Sequence, residues 1–302
     1  MAHSYTQARP GTAGIHFSHI KLKITGFTIR LLYTLFPGFM GKILLKQFFA
    51  PKRHVLDREQ MDYLSTGTPF DLKVNRDTIK CWQWGQGPAL IFVHGWGGIG
   101  LQFHKYIDKA LALGFSVIIF DAPAHGLSPG ETCSYFQMTD AVRTLINRKN
   151  SSGVAGLIGH SFGAAAVINA ISKENLSLPA VLIAPALNLV NTLDRAFSSY
   201  GIPKGIYMDL IKNFEQEYGY SFYHDNPVNL LDGESQNLFM VHDPQDQVIP
   251  YGDSRHAGLR YPSFKLMTVK DLGHKRIVGD RAVVSAALNY IESQAGSGQG
   301  NS

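Results

Sequence analysis

One serine stands where it could act as a nucleophile. It lies in Gly159-His160-Ser161-Phe162-Gly163, directly followed by Ala164-Ala165-Ala166. A strand that runs into a helix through a single serine must turn tightly. Small flanking residues let neighbouring elements close in, and the hydroxyl is left above the sheet edge. A serine hydroxyl is a weak nucleophile at neutral pH, so it needs a general base in hydrogen-bond reach and an acid to orient that base. Of the 12 histidines, His274 is best placed for the base, because Asp271-Leu272-Gly273-His274 follows the last apolar run and can lean back over the sheet. His94 and His125 sit in glycine-flanked turns, where an imidazole shapes the loop by bonding backbone groups. His160 adjoins the serine and points elsewhere, while His242 and His256 read as a strand end and a helix position. The acid lies within His242-Asp243-Pro244-Gln245-Asp246-Gln247-Val248-Ile249-Pro250. Asp246, ahead of an apolar anchor, is preferred, and Asp243, before a proline, is the alternative that would instead close the turn. An oxyanion needs two N–H donors. Phe162 supplies one, and Trp96, in His94-Gly95-Trp96-Gly97-Gly98, is the expected second. These groups together can move an acyl group from an ester to water.

Such residues work only if strands and helices carry them to one edge. Asp71–Val74 and Ile79–Trp84 flank a hairpin turn at Asn75-Arg76-Asp77. Ala89–Val93, Ser116–Phe120, Val154–Ile158, Ala180–Ile183, Leu238–Val241 and Phe264–Val269 then read as buried strands, most of them followed by a helix-length segment. This alternation predicts an α/β fold, a mostly parallel sheet covered by helices on both faces. After Ala184-Pro185 comes a stretch of about fifty residues before Leu238, longer than a plain crossover. It holds Leu193–Tyr200, then Tyr207–Tyr218 after Pro203, and the rings of Tyr218, Tyr220, Phe222 and Tyr223, which either line a pocket or seal the insertion against the body.

At this point the chain resembles an α/β-hydrolase fold enzyme of an uncharacterised bacterial esterase- or lipase-like group. The resemblance covers residues 70–295. It rests on His94-Gly95-Trp96-Gly97-Gly98, Asp121-Ala122-Pro123-Ala124-His125-Gly126-Leu127-Ser128, Gly159–Gly163, Asp246-x-Val248-x-Pro250 and Gly273-His274, in the order nucleophile, acid, histidine. It implies Ser161 as nucleophile, His274 as base, Asp246 as acid, the Trp96 and Phe162 amides as oxyanion hole, and a helical cap over the site. Ala124 departs from the glycine usual at its position. The serine excludes the aspartate-nucleophile epoxide hydrolases and haloalkane dehalogenases of this fold. The expected organisation is an N-terminal helical extension over 1–56, a hydrolase core in two parts over 57–187 and 236–295, a helical cap over 188–235 and a flexible tail over 296–302, whose Ser/Gly/Gln composition begins near Ser293.

Composition narrows the partners. The chain has 302 residues, 45% of them hydrophobic and 17% charged, which fits a large buried core. Two cysteines, Cys81 and Cys133, make no disulfide framework and no zinc spacing, so a reducing, cytoplasmic setting and no cofactor or metal are expected. The net charge of +5 belongs wholly to residues 1–56, which carry eight basic and no acidic residues. Residues 57–302 hold 20 basic against 23 acidic, a net of −3. Nucleic acid is therefore disfavoured, and a small ester is the expected partner. The basic segment over residues 20–50 is apolar, breaks at Pro37-Gly38, and its longest uncharged run falls short of the ~18–20 residues of a membrane span. Two readings stay open for it: a helical layer packed on the body, or a peripheral contact with an anionic inner-membrane surface. Residues 1–18 show neither the apolar region nor the cleavage site of a secretory signal.

Overall fold

The computed structural model describes residues 13–233 and 236–297. In chain order the elements are α1 (Ala13–Leu35), α2 (Pro37–Phe49), α3 (Arg58–Leu64), β1 (Thr68–Val74), β2 (Asp77–Trp84), β3 (Ala89–Val93), α4 (His104–Ala112), β4 (Ser116–Phe120), α5 (Tyr135–Arg148), β5 (Val154–His160), α6 (Phe162–Lys173), β6 (Ala180–Ile183), α7 (Leu189–Ser199), α8 (Lys204–Tyr218), β7 (Leu238–His242), α9 (Tyr251–Arg260), β8 (Lys265–Thr268), α10 (Gly273–Arg276) and α11 (Arg281–Ser297). The helix α11 continues through Ser297, past the point where composition predicts a tail, and residues 298–302 lie outside the described residues.

The eight strands form one sheet in the order β1-β2-β4-β3-β5-β6-β7-β8. β1 and β2 pair antiparallel across the Asn75-Arg76 turn, β2 runs antiparallel to β4, and every later pairing is parallel. All residues of β3 and β4 are buried, as expected for strands covered on both faces. Successive side chains of β3 go to opposite sides: Ile91 and Val93 join the core under α5 and α6, while Leu90 and Phe92 join the core under α4 and α11. β3 lies between β4 and β5, so connections leave it in opposite directions, and a crevice opens at the carboxyl edge of the sheet there.

The loops after β3, β5, β7 and β8 all emerge at that edge. Val93 pairs with Gly159, which sets the loop after β3 beside Ser161. His242 pairs with Thr268, which sets the Asp243–Asp246 loop beside the segment leading to His274. Glycines at 159 and 163 are demanded by close approach. A Cβ on Gly163 would collide with the Val93 and His94 carbonyls, and one on Gly159 would come within 2.6 Å of the Ala164 backbone. Backbone strain gathers at the same edge. Of the seven non-glycine residues at positive φ among the described residues, three are turn asparagines, and the other four, Ala124, Ser161, Ala184 and Asp271, lie just beyond β4, β5, β6 and β8. Ala124, with φ 63°, holds the conformation for which glycine is the usual residue.

The N-terminal segment is tied to this body at its end. Met40, Leu44 and Phe49 of α2 are buried. Phe49 accepts a hydrogen bond from the Cys133 amide, and the Arg53 guanidinium donates to the carbonyls of Gly126, Ser128 and Gly130. Residues 1–12 of the segment lie outside the described residues.

Candidate active site

Ser161 occupies the turn between β5 and α6 with φ 55° and ψ −116°, a sparsely populated conformation costing roughly 1–3 kcal/mol. The surroundings impose it. Ser161 N–H donates to the Ile183 carbonyl at 2.9 Å, and its own carbonyl accepts from Ala165 and Ala186. Only a strand and a helix locked this close could hold a serine so, which is why the glycines flank it.

His274, at the start of α10, reaches Ser161 Oγ with Nε2 at 3.0 Å and Asp246 Oδ2 with Nδ1 at 2.7 Å. A carboxylate only accepts, so Nδ1 carries the proton and Nε2 is left bare toward the serine hydroxyl. Asp246 Oδ1 accepts from the amides of Val248 and Ile249 at 2.7 and 3.0 Å. Burial alone would raise this carboxyl, but hydrogen bonds from His242, His274 and the two amides together hold it well below the usual carboxylate range. Asp243, the alternative acid, does not touch His274. Its Oδ2 accepts from the Leu272 and Gly273 amides, both at 2.7 Å, and its Oδ1 from Gln245, so it clasps the loop that carries the histidine.

The loop Gly95–Gly98 lies against Ser161: a Cβ on Gly95 would sit 3.1 Å from Ser161 Cβ. Among the described residues neither the Trp96 nor the Phe162 amide has a hydrogen-bond partner, and the two rings lie 5.9 Å apart over the serine. The structure thus brings together all five residues singled out in the sequence. The remaining strand-end histidines shape loops. The Ala122 amide donates to His94 Nε2, so its Nδ1 donates to the Gly95 carbonyl. The Gly97 amide donates to His125 Nε2, so its Nδ1 donates to the Pro123 carbonyl. His160 Nε2 donates to the His274 carbonyl at 2.9 Å.

Burial, reinforced for His125 and His160 by neighbouring imidazoles, lowers these three groups to about 4, 3 and 3 for His94, His125 and His160. Their folded values lie below the ordinary ~6.5, so between these limits the unfolded chain binds more protons and stability rises with pH. Unfolding free energy should therefore fall as pH drops from ~6.5 toward ~4, by on the order of 1 kcal/mol per pH unit for each histidine. Denaturant titrations across that range test it, and a flat profile would contradict the buried neutral imidazoles.

Three contributors escape a linear reading of the chain. His242, a strand-end residue with no expected role, places Nε2 3.3 Å from Asp246 Oδ2 and receives the Ser254 hydroxyl at Nδ1. Asp121 accepts from the Gly100 and Leu127 amides and so ties the loop after β3 to the loop after β4. Phe48 and Phe49 of α2 form part of the pocket wall. The acid-histidine contact of His242 had a signal in its place on the strand entering the acid loop; the other two depend on tertiary packing.

Two cavities meet at Ser161, Trp96 and His274. One, of about 670 Å³, is lined by Phe48, Phe49, Tyr135, Phe197, Phe214 and Phe222. The other, of about 760 Å³, is lined by His54, Gln60, Gln102, Lys105 and Arg276 together with Tyr63, Ile99, Leu101 and Val278. Two buried atoms in this second lining, Gln102 Nε2 and His160 Nδ1, have no hydrogen-bond partner among the described residues. Of the four-ring cluster expected to line a pocket or seal the insertion, Phe222 lines the apolar cavity. Tyr220 seals: it stacks on Phe136 at 4.8 Å and donates to Asp140. No three His, Cys, Asp or Glu side chains among the described residues are grouped to hold a metal ion.

Residues 88–183 match the family described as alpha/beta hydrolase fold. Over 81 residues the chain is 37% identical to the uncharacterized protein YqkD of Bacillus subtilis, a match that spans 25% of this chain and 27% of that protein. Solved structures with the same architecture include an esterase of Pyrococcus furiosus, 20% identical with a TM-score of 0.61, covering 81% of this chain and 97% of that one. Est1E of Butyrivibrio proteoclasticus, solved with ferulic acid bound, is 17% identical with a TM-score of 0.56 over 74% and 97% of the two chains. A monoacylglycerol lipase of Paleococcus ferrophilus is 18% identical with a TM-score of 0.54 over 71% and 98%.

Proposed function

We propose that this chain, whose residues 88–183 match the alpha/beta hydrolase fold family, is a serine hydrolase that cleaves carboxylic esters through an acyl-enzyme. The observation that carries the reading is the continuous hydrogen-bond chain from Ser161 through His274 to Asp246. In this mechanism Ser161 Oγ attacks the ester carbonyl while its proton passes to His274 Nε2. The Asp246 carboxylate stabilises the imidazolium that results. The oxyanion settles between the Trp96 and Phe162 amides, whose free N–H groups need no reorganisation to receive it. His274 then protonates the leaving alcohol, and a water molecule deprotonated by the same nitrogen cleaves the acyl-enzyme.

The two cavities divide the substrate at the serine. An apolar acyl group fits the aromatic cavity, and the alcohol fits the second, where Gln102 and Lys105 can meet its oxygens. Esterases and a monoacylglycerol lipase among the structural neighbours support the same bond class. A fluorophosphonate probe should label the protein stoichiometrically at Ser161, as read by peptide mass spectrometry, and short-chain aryl esters should be hydrolysed steadily. A protein that folds yet takes no label would point instead to a non-catalytic binding role for the pocket.

A further inference from the structure

The helix pair α1–α2 has two apolar faces, and the body of the protein uses only one. Inward, Ile29 and Tyr33 pack on the main core, Gly26 presses its backbone against the Gly201 carbonyl in the turn before α8, and Met40, Leu44 and Phe49 are buried. Outward, eight of the sixteen large apolar side chains exposed among the described residues fall between positions 24 and 43. Ile24, Phe27, Leu31 and Leu35 follow one another at helical spacing along α1, and Phe39 and Ile43 continue the face on α2. Phe27 and Phe39 are 69% and 67% exposed. A contiguous patch of this kind marks a surface that something else covers.

Charge identifies the occupant. Residues 1–56 contain eight basic and no acidic side chains; Arg53 is held by the loop after β4 and Lys46 pairs with Glu131, while Arg30 and Lys42 stand exposed beside the apolar face. A second copy of the chain would set one basic segment against another, which Coulomb repulsion opposes. A surface that is apolar beneath and anionic above satisfies both features. No helix among the described residues is long and apolar enough to span a membrane. The patch also adjoins the site. Phe48, at the end of α2, packs on Phe197 at 4.6 Å and meets the edge of the exposed Tyr200 at 5.3 Å, and all three rings line the apolar cavity that ends at Ser161.

We infer that the outer face of α1–α2 docks on an anionic phospholipid surface, with the apolar cavity opening beside it, so that the ester substrate is a lipid drawn from that surface. The substrate half rests on the ester-hydrolase reading above; the docking half does not. The full chain is to be co-sedimented with phosphatidylcholine vesicles with and without phosphatidylglycerol, beside the variant Phe27→Asp/Phe39→Asp and, separately, Ser161→Ala. Wild type and Ser161→Ala should bind the anionic vesicles alike and release at high salt, and the double variant should bind at least about tenfold more weakly. Neither phenylalanine touches the cavity, so the double variant should hydrolyse a soluble short-chain aryl ester as wild type does and lose hydrolysis of a monoacyl ester presented in vesicles. Absence of wild-type binding, equal binding by the double variant, or a dimer in sedimentation that the double variant dissolves would overturn the docking. Equal vesicle-ester hydrolysis by both proteins would overturn the lipid substrate. Vesicle binding by a chain that cleaves no ester would leave the docking standing and overturn the hydrolase reading.

Discussion

Ser161→Ala should lower kcat for aryl ester hydrolysis by about 10,000-fold or more, and His274→Ala and the double variant should lose about the same factor. On the proposed mechanism the two side chains act in one event. Oγ attacks as its proton moves to Nε2 across 3.0 Å, so removing either partner removes the whole step and the losses do not add. What survives is the rate from binding and from the Trp96 and Phe162 amides, which neither substitution alters. Stability separates this from a folding defect. Among the described residues the Ser161 hydroxyl bonds only His274, while the strained turn is held through backbone groups to Ile183, Ala165 and Ala186. Thermal unfolding of Ser161→Ala should therefore shift little, by about 1 kcal/mol or less. Residual activity within tenfold of wild type, or a double variant far slower than either single one, would show that the serine and histidine do not act as a pair.

The strained turn explains why so much of this site is legible in a single sequence. Ser161 can be held at positive φ only if β5 and α6 meet at van der Waals distance, and that demands glycine at 159 and 163 within a five-residue pattern. Local demands of this kind are written next to the residue they serve. The same holds for Ser116–Phe120 and Ala180–Ile183, where a short buried run between turns leaves one option, and the strands have those bounds. The choice between Asp243 and Asp246 is a different matter. Both lie on one loop, and what separates them is the offset between β7 and β8, which sets the Leu272 and Gly273 amides over Asp243 and His274 over Asp246. The place of Phe48 and Phe49 in the pocket wall is less visible still. It arises because α2 packs on α8, some 165 residues later, where Phe49 meets Phe214 at 4.5 Å. Nothing near residue 48 records that contact.

The loop geometry makes a sharp prediction for the acid. In Asp246→Asn the new side chain cannot choose its orientation freely. The position of Oδ1 faces two backbone N–H groups, from Val248 and Ile249, and must stay an oxygen, so the NH2 falls at the Oδ2 position, 2.7 Å from His274 Nδ1. Two donors cannot face each other, and the imidazole must shift its proton to Nε2. In that tautomer the nitrogen beside Ser161 is a donor and cannot take the hydroxyl proton. Asp246→Asn should therefore cut kcat by roughly 1,000- to 10,000-fold with KM little changed. In Asp243→Asn the oxygen likewise stays with the two amides of Leu272 and Gly273, so the NH2 falls against the Gln245 amide and only that acceptor is lost; the histidine tautomer is left intact, so the cost should fall mainly on stability, by about 1–3 kcal/mol, and on kcat by about tenfold or less. Steady-state kinetics and denaturant unfolding on the two variants distinguish the roles. A folded Asp243→Asn protein that loses as much kcat as Asp246→Asn would mean that clasping the histidine loop, and not fixing its tautomer, is what this acid pair contributes.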